Sequence, residues 1–328
     1  MAYQDKGWID CGLIDQMLEQ DVKILCSVDG SDQSICGLDW VLEGVMQTDR
    51  KTHLRMVHVH TPSKNYLAGR YSLNAVQALC EAKVTSWLLP ARYHLDIVRR
   101  EAEKHVGELL CDIIQTNNAS FLVMGYKGIS GRQPKSVIGS NVMEVLQRGK
   151  CSCIVIRTED TKAMPLKRPT KFVVSTGLNP AATKAFVDAL RLSKAGDEIH
   201  VVYIRPFLEN QLNEAERTKA LREKYSGFFE GMKDPLVWPT EKMVKYGDRV
   251  VTLKLAPQGR GESVAEALVR HAKNLEADFV LVGTNALRVE RGKPILGSVS
   301  LQIMNHWDGN FVVSNYVSTQ DCLMSLKE

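Results

Sequence analysis

The chain has 328 residues, of which 44% are hydrophobic and 24% are charged, a composition that excludes collagen-like, coiled-coil and disordered chains. Its 42 basic and 38 acidic residues leave a formal net charge of +4, whereas nucleic-acid-binding proteins usually carry a larger basic excess or a basic cluster. No apolar run approaches the roughly 18 residues that span a bilayer, and residues 1–10 show no secretory signal. The eight cysteines are scattered and lack the spacing of a metal site. We therefore expect reduced thiols in a cytoplasmic protein with neither nucleic-acid nor membrane partners.

Short apolar runs rich in β-branched residues alternate with helical patterns along the chain. The runs are typical of strands buried on both faces, and they lie at residues 22–29, 53–60, 119–125, 153–156, 171–176, 198–204, 277–283 and 311–314. The helical patterns lie at residues 33–46, 72–88, 107–115, 141–148, 181–193 and 262–274. This alternation predicts an α/β fold, with a mainly parallel sheet, right-handed crossovers and helices on both faces.

The two halves of the chain repeat each other. Residues 119–128 resemble residues 277–286, and the Gly-Ser pair at 139–140 recurs at 297–298, always with an offset of 158 residues. A register kept over such a length indicates a duplication. We predict tandem domains at 21–158 and 169–317, a linker at 159–168, an extension at 1–20 and a tail at 318–328. In the extension, Leu13, Ile14, Met17 and Leu18 form an apolar face, either of a helix packed on the first domain or of a partner-docking arm.

Ligands of parallel α/β sheets bind beyond the carboxyl ends of the strands, where the strand order reverses. Three segments of the first repeat reach that edge, and they are Ser27-Val28-Asp29-Gly30-Ser31, Val59-His60 and Met124-Gly125-Tyr126-Lys127-Gly128. A new helix begins after Gly139-Ser140-Asn141. Glycines let backbone N–H groups approach an anion, and a helix N-terminus adds about half a positive charge and unpaired donors. These segments together predict a cradle for phosphate.

Individual side chains could complete this cradle. Ser140 offers a hydroxyl, Lys127 or Lys135 offers a mobile charge, and Asp29 is placed to accept from ribose hydroxyls. Each also has a structural interpretation. Gly125 and Gly128 could serve only tight turns, Asp29 could close a turn or cap the next helix, and Ser140 could be an N-cap.

The arrangement resembles the universal stress protein family in a tandem form. The family's motifs are matched by Val28-Asp29-Gly30-Ser31, by His58-Val59, and by Gly125-x2-Gly128 followed by Gly139-Ser140. The resemblance implies two five-stranded, flavodoxin-like or Rossmann-like domains of the adenine nucleotide alpha hydrolase type. It also implies bound ATP or AMP, with or without magnesium, in members that keep the loop.

Matched position by position, the resemblance implies that Asp29 binds the ribose, the Val59 backbone binds the adenine edge, and Gly125, Gly128, Gly139, Ser140 and Asn141 bind the phosphates. The candidate cofactor-binding residues are thus Ser27, Val28, Asp29, Val59, Met124, Gly125, Lys127, Gly128, Gly139, Ser140 and Asn141. No catalytic residue and no metal ligand is predicted.

The chain departs from the family pattern at two points. Ten residues separate Gly128 from Gly139, one more than the family spacing; the extra residue costs little closure entropy but could displace Lys135 or Ser136 from the phosphates. In the second repeat Thr176 stands at the position of Asp29, and Ala286 replaces the second glycine. We expect the second site to be weakened or empty, while a lone anion at Gly297-Ser298 remains an open alternative.

An enzyme that transfers phosphoryl groups needs charged groups at the reacting phosphate and usually a metal-holding acid. The Walker signature is absent from the sequence. We expect His58 and His60 on opposite faces of their strand, with at least one of them structural. Cys151 and Cys153 are expected to be small buried residues, with a regulatory thiol pair as the alternative. We therefore predict no dedicated enzyme, and at most slow ATP hydrolysis.

The predicted function is a nucleotide-binding stress-response or regulatory module whose occupancy changes its contact with an unidentified protein partner. The alternative is a non-catalytic scaffold that keeps the fold without needing nucleotide, and the degenerate second repeat favours it. Cys153–Ile156 and Phe311–Val313 are predicted to pair in an internal pseudo-dimer that hides two sheet edges. Further homo-oligomerisation is left open.

Overall fold

The computed structural model describes residues 18–48, 51–62, 69–87, 92–100, 103–129, 138–160, 163–207, 211–225, 240–242, 249–285, 289–290, 293–294 and 296–316. Several predictions fall outside these ranges. They concern the extension before Leu18, the loop residues Lys135 and Ser136, Ala286 in the second repeat, and the tail.

The first half, domain 1, alternates strands and helices, and all of these elements except the strand Tyr93–Arg99 correspond to predicted runs. Its strands are β1 (Val22–Ser27), β2 (Thr52–His60), β3 (Tyr93–Arg99), β4 (Phe121–Gly125) and β5 (Ser152–Ile156). Its helices are α1 (Asp32–Glu43), α2 (Leu73–Thr85), α3 (Val106–Asn117) and α4 (Ser140–Arg148), with 3-10 turns at Val45–Gln47 and Gly69–Tyr71.

The second half, domain 2, follows the same plan with additions. Its strands are β6 (Lys171–Ser175), β7 (Glu198–Arg205), β8 (Thr240–Lys242), β9 (Val250–Pro257), β10 (Phe279–Asn285), β11 (Val289–Glu290), β12 (Lys293–Pro294) and β13 (Asn310–Tyr316). Its helices are α5 (Pro180–Leu192), α6 (Gln211–Tyr225), α7 (Val264–Asn274) and α8 (Ser298–His306).

One continuous sheet runs through both domains in the order β3-β2-β1-β4-β5-β13-β10-β6-β7-β9-β8. Within domain 1 all neighbouring strands are parallel, and their order 3-2-1-4-5 is that of the first five strands of a Rossmann sheet. Domain 2 repeats this order as 9-7-6-10-13 and adds β8 antiparallel to β9. The predicted α/β class is confirmed, and the order reverses between β1 and β4.

The two domains join through their last strands. β5 and β13 pair antiparallel, with Val155 opposite Phe311 and Cys153 opposite Val313. The predicted internal pseudo-dimer is therefore confirmed at its seam. Because each strand uses the other's edge, neither exposes unpaired backbone groups there.

Two apolar cores lie on the two faces of this sheet, and each core spans both domains. One core contains buried side chains of α1, α2, α5 and α6, and the other contains those of α3, α4, α7 and α8. The linker contributes to the first core, because Met164 is buried in it. The ring of Trp40 in α1 crosses the seam to contact Phe279 in β10, with ring centroids 4.6 Å apart.

Candidate functional site

A cavity of about 400 Å³ opens at the carboxyl edge of the domain 1 strands, beside the point where the strand order reverses. Ten of the eleven candidate residues line it, all except Ser140. Ser140 is exposed and is the first residue of α4, whose N-cap is Gly139. The alternative interpretation of Ser140 as an N-cap is therefore wrong.

The Asp29 carboxylate faces the loop that follows β4. This loop, residues 125–129, is called the glycine loop. The Oδ1 of Asp29 accepts hydrogen bonds from the Ser31 amide at 3.0 Å and the Ser31 hydroxyl at 2.6 Å. Its Oδ2 accepts from the Ile129 amide at 3.2 Å. Asp29 therefore closes the turn before α1, as its structural interpretation proposed, and also ties that turn to the loop. Each carboxylate oxygen has two lone-pair directions, so acceptor capacity remains for a ligand hydroxyl.

The glycine loop is held close to the strand edge by backbone contacts. The Tyr126 amide donates to the Ile156 carbonyl at 2.8 Å, and the Gly139 amide donates to the Tyr126 carbonyl at 3.0 Å. A Cβ at Gly128 would lie 3.1 Å from Oδ2 of Asp29. Gly128 therefore permits the loop and the carboxylate to approach each other.

The N-terminus of α4 borders the same cavity through Gly139, Asn141 and Val142. Its N-cap residue, Gly139, makes no side-chain cap hydrogen bond, and the first amides of a helix have no partner within the helix itself. Such amides and the positive end of the helix dipole suit an anionic group. This end of the cavity fits a phosphate.

Part of the cavity lining is apolar. The apolar side chains come from β2, α3, β4 and α4, and they are Val59, Val106, Leu110, Met124 and Val142. Ser72, the N-cap of α2, and Asn74 in its first turn add polar groups to the lining. An apolar lining with a few polar groups is the usual environment of a small-molecule ligand.

The two histidines of β2 lie on one face of the strand, so the expectation of opposite faces is wrong. Residues two apart in a strand point to the same side, and the ring centroids of His58 and His60 are 6.4 Å apart. His58 is buried and its Nδ1 donates to the Val28 carbonyl at 2.8 Å. Burial lowers the pKa of His58. The prediction that at least one histidine is structural is confirmed for His58.

The corresponding edge of domain 2 carries different residues. The Thr176 amide donates to the Val202 carbonyl in the way the Val28 amide donates to Val57, both at 2.9 Å. Because Ser27 pairs with Val57 and Ser175 with Val202, Thr176 corresponds to Val28. The residue at the position of Asp29 is thus Gly177 and not Thr176.

Domain 2 therefore still lacks a carboxylate at this position. The Gly177 carbonyl instead accepts from Lys224 Nζ at 2.7 Å. Lys224 is buried, and desolvation lowers its pKa to about 8. Its neighbour Tyr225 hydrogen-bonds Thr176 at 2.5 Å.

The six cysteines in the described part of the chain are free thiols. Cys151 and Cys153 are both buried in the core on the α3–α4 face, so the interpretation of these two as small core residues is confirmed. Within the described ranges, no cluster of His, Cys, Asp and Glu has the arrangement of a metal site. None of the helices described has the length and apolar character needed to cross a bilayer.

Comparisons with known proteins agree with this architecture. The family model described as the universal stress protein family matches residues 22–157 and again residues 169–314. Comparison with curated protein sequences gives no match.

Among solved structures, a candidate universal stress protein from Pseudomonas aeruginosa UCBPP-PA14 is 12% identical, with a TM-score of 0.61 over 94% of this chain and 97% of its own. A universal stress protein from Archaeoglobus fulgidus DSM 4304 is 16% identical, with a TM-score of 0.56 over 89% of this chain and 98% of its own. At these identities the structures show a shared fold. The family match covers most of the chain in two copies, and the chain belongs to the universal stress protein family.

Proposed function

We propose that domain 1 binds an adenine nucleotide, ATP or AMP, and that the protein is a regulatory binding module. One observation carries the proposal: groups suited to three parts of a nucleotide border one cavity. Val59, Val106 and Leu110 supply an apolar slot for the base, and Asp29 supplies an acceptor for ribose hydroxyls. Gly139 and the first turn of α4 supply amide donors for phosphate.

The size of the cavity is compatible with this ligand. A volume of about 400 Å³ falls within the range of roughly 300–1,000 Å³ found for small-molecule sites. Lys127 also lines the cavity and would place a positive charge near the phosphates. A magnesium ion, if it accompanies ATP, would be bound through the phosphates and water, as is usual for this ion.

Binding without dedicated catalysis is the form of the proposal that the side chains favour. A transferred phosphoryl group needs charged residues aimed at the reacting atom. His58, the buried histidine beside the cavity, donates Nδ1–H to a carbonyl and has a lowered pKa. It would serve there as a neutral structural group. We propose slow hydrolysis at most, and a change in partner contact as the consequence of occupancy.

A scaffold role is the second candidate, and the Asp29 contacts favour it. The carboxylate already accepts hydrogen bonds from Ser31 and Ile129 of its own chain. The Asp29 carboxylate therefore has partners without any ligand, as a scaffold that needs no nucleotide would require.

Titration calorimetry with ATP and with AMP separates the two candidates. A binding module gives measurable heat with the wild type, and Asp29→Ala and Gly139→Val abolish it or weaken it at least about tenfold, because both act where ribose and phosphate would lie. Gly297→Val is the matched control, since Gly297 is the N-cap of α8 in domain 2. Heat that is absent for every nucleotide, or that is lost with Gly297→Val instead, contradicts the proposal.

A further inference from the structure

The glycine loop of domain 1 lies between the candidate site and the seam with domain 2. On one side, Gly125, Lys127 and Gly128 line the cavity. On the other side, the Tyr126 ring is buried and lies edge-on to Phe311 of β13, with ring centroids 6.4 Å apart. A single loop therefore has contacts with both the cavity and the neighbouring domain.

Gln33 holds this loop from the first turn of α1. Its Oε1 accepts from the Lys127 amide at 2.8 Å, and its Nε2 donates to the Arg157 carbonyl at 3.1 Å and to Glu159 Oε1 at 3.4 Å. The side chain is 6% exposed. Because both ends of a buried amide are hydrogen-bonded, its position is fixed. Gln33 thereby connects the loop to the segment that follows β5.

That segment is in turn anchored on domain 2. The Arg157 guanidinium donates to the carbonyls of Met304 and Trp307 at the end of α8, where the negative end of the helix dipole favours a cation. The Arg157 amide donates to Asn310 Oδ1 at 3.0 Å. The guanidinium also lies over the Tyr126 ring, 3.8 Å from its centroid, a distance suited to a cation–π contact.

Domain 2 lacks this arrangement. Counted from the hydrogen-bond registers, Ala181 takes the place of Gln33, Thr284 that of Tyr126 and Asn315 that of Arg157. Asn315 instead donates to the Gly149 and Cys151 carbonyls at 2.9 and 3.0 Å. The contacts of Gln33 and Arg157 that hold the glycine loop are therefore present in domain 1, which also has the Asp29 carboxylate at the end of β1.

We propose that Gln33 and Arg157 are positioning residues for the glycine loop, the candidate phosphate-binding loop. We also propose that they make the shape of this loop depend on the docking of domain 2. The inference rests on the proposed nucleotide site. Gln33 sets the direction of the Lys127 amide, and Arg157 fixes the segment on which Gln33 depends. Neither side chain needs to contact the nucleotide.

Ligand affinity in full-length variants tests the proposal, with ATP and adenosine as probes. Gln33→Leu should weaken ATP binding roughly five- to tenfold, the effect of losing one ordering hydrogen bond in a buried site, and leave adenosine binding within about twofold. Arg157→Gln should weaken ATP binding in the same direction, roughly two- to fivefold. A role in general stability would instead affect both ligands equally.

Two matched controls accompany these variants. Gln47→Leu removes a second glutamine just beyond the same helix, whose side chain donates to the Leu42 carbonyl at 2.9 Å. Arg168→Gln breaks a different contact with domain 2, the ion pair with Asp278. Both should bind ATP and adenosine like the wild type.

Hydrogen exchange of the Lys127 amide gives a readout without any ligand. It should be faster in Gln33→Leu than in the wild type and unchanged in Gln47→Leu. Wild-type ATP affinity in Gln33→Leu and Arg157→Gln, or equal losses of ATP and adenosine, would overturn this inference alone. A wild type that binds neither ligand would overturn the proposed function, and this inference with it.

Discussion

The Asp29 carboxylate and the Ile129 amide are joined by a hydrogen bond of 3.2 Å. It connects the end of β1 to the glycine loop after β4, across the point where the strand order reverses. Both residues of this contact line the cavity in domain 1. In domain 2 the residue at the position of Asp29 is Gly177, which has no side chain to make it.

Asp29→Ala should destabilise the ligand-free protein. Three hydrogen bonds to this carboxylate would be lost, and we expect the free energy of unfolding to fall by about 1–3 kcal/mol. Urea denaturation without nucleotide measures this change. Asp32→Ala is the control, because Asp32 is half-exposed and its pair with Arg70 is long, at 3.4 Å; it should cost less than about 1 kcal/mol. Equal costs for the two variants would show that the Asp29 contacts do not stabilise the loop.

The buried Asp188 should contribute to the seam between the domains. It accepts from Lys184 in its own helix and from the Ser152 hydroxyl of β5 at 2.5 Å. Asp188→Ala leaves a largely buried ammonium without its carboxylate, a change that costs about 3–5 kcal/mol.

The double change Lys184→Met and Asp188→Leu should cost less than Asp188→Ala, because no unpaired charge remains. Urea denaturation compares the variants, and Lys219→Ala on the exposed pair with Glu223 serves as a control of near-zero effect. A double variant that is as unstable as Asp188→Ala would contradict this explanation.

The cysteines of the folded core should react slowly with iodoacetamide. Burial raises the pKa of Cys36 and Cys151 to about 12, and that of Cys80 and Cys111 to about 11. Few thiolates are therefore present near neutral pH. Alkylation followed by peptide mass spectrometry should find these four labelled in urea and unlabelled in the native protein. Rapid native labelling of Cys151 would favour a regulatory thiol instead.

Stability should fall as the pH is lowered from neutral, and His58 should contribute to that fall. Burial lowers the pKa of His58 in the folded state below its ordinary value of 6.5. The unfolded chain therefore binds the proton first, so stability is lost as the pH falls through 6.5 towards the folded pKa. His60 and Asp29 also face the imidazole, with opposite effects on its pKa.

Urea denaturation of the wild type and His58→Gln at pH 7.5 and 5.5 tests this contribution. Glutamine keeps a donor for the Val28 carbonyl but does not titrate. The wild type should lose more unfolding free energy than the variant between these two pH values. An equal loss in both proteins would exclude His58 as a contributor.

The sequence predicts the alternation of strands and helices well, because apolar periodicity reflects burial on the sheet. The helix pattern at 107–115 corresponds to α3 at Val106–Asn117, and the pairing of residues 153–156 with 311–313 follows from the duplication. The strands β3 and β9 and the helix α6 were not predicted. The strand β8 and the β11–β12 hairpin were not predicted either, since short strands of two or three residues leave no clear period.

Other features depend on contacts between residues far apart in the chain. Gln33 meets Lys127 and Arg157 across 94 and 124 positions, and no local pattern in the first turn of a helix indicates such partners. The predicted correspondence of Thr176 with Asp29 was wrong by one residue, because Gly177 occupies that position. Short apolar strands align well in either register, and the hydrogen bonds to Val57 and Val202 decide between them.

Titration of isotope-labelled protein with ATP, followed by NMR, tests the nucleotide site of domain 1 most directly. The account predicts that the amide signals of Gly125 and Gly139 shift in a saturable way, while their counterparts in domain 2, Gly283 and Gly297, stay in place. Signals that remain unchanged in domain 1, or that shift first in domain 2, would contradict it.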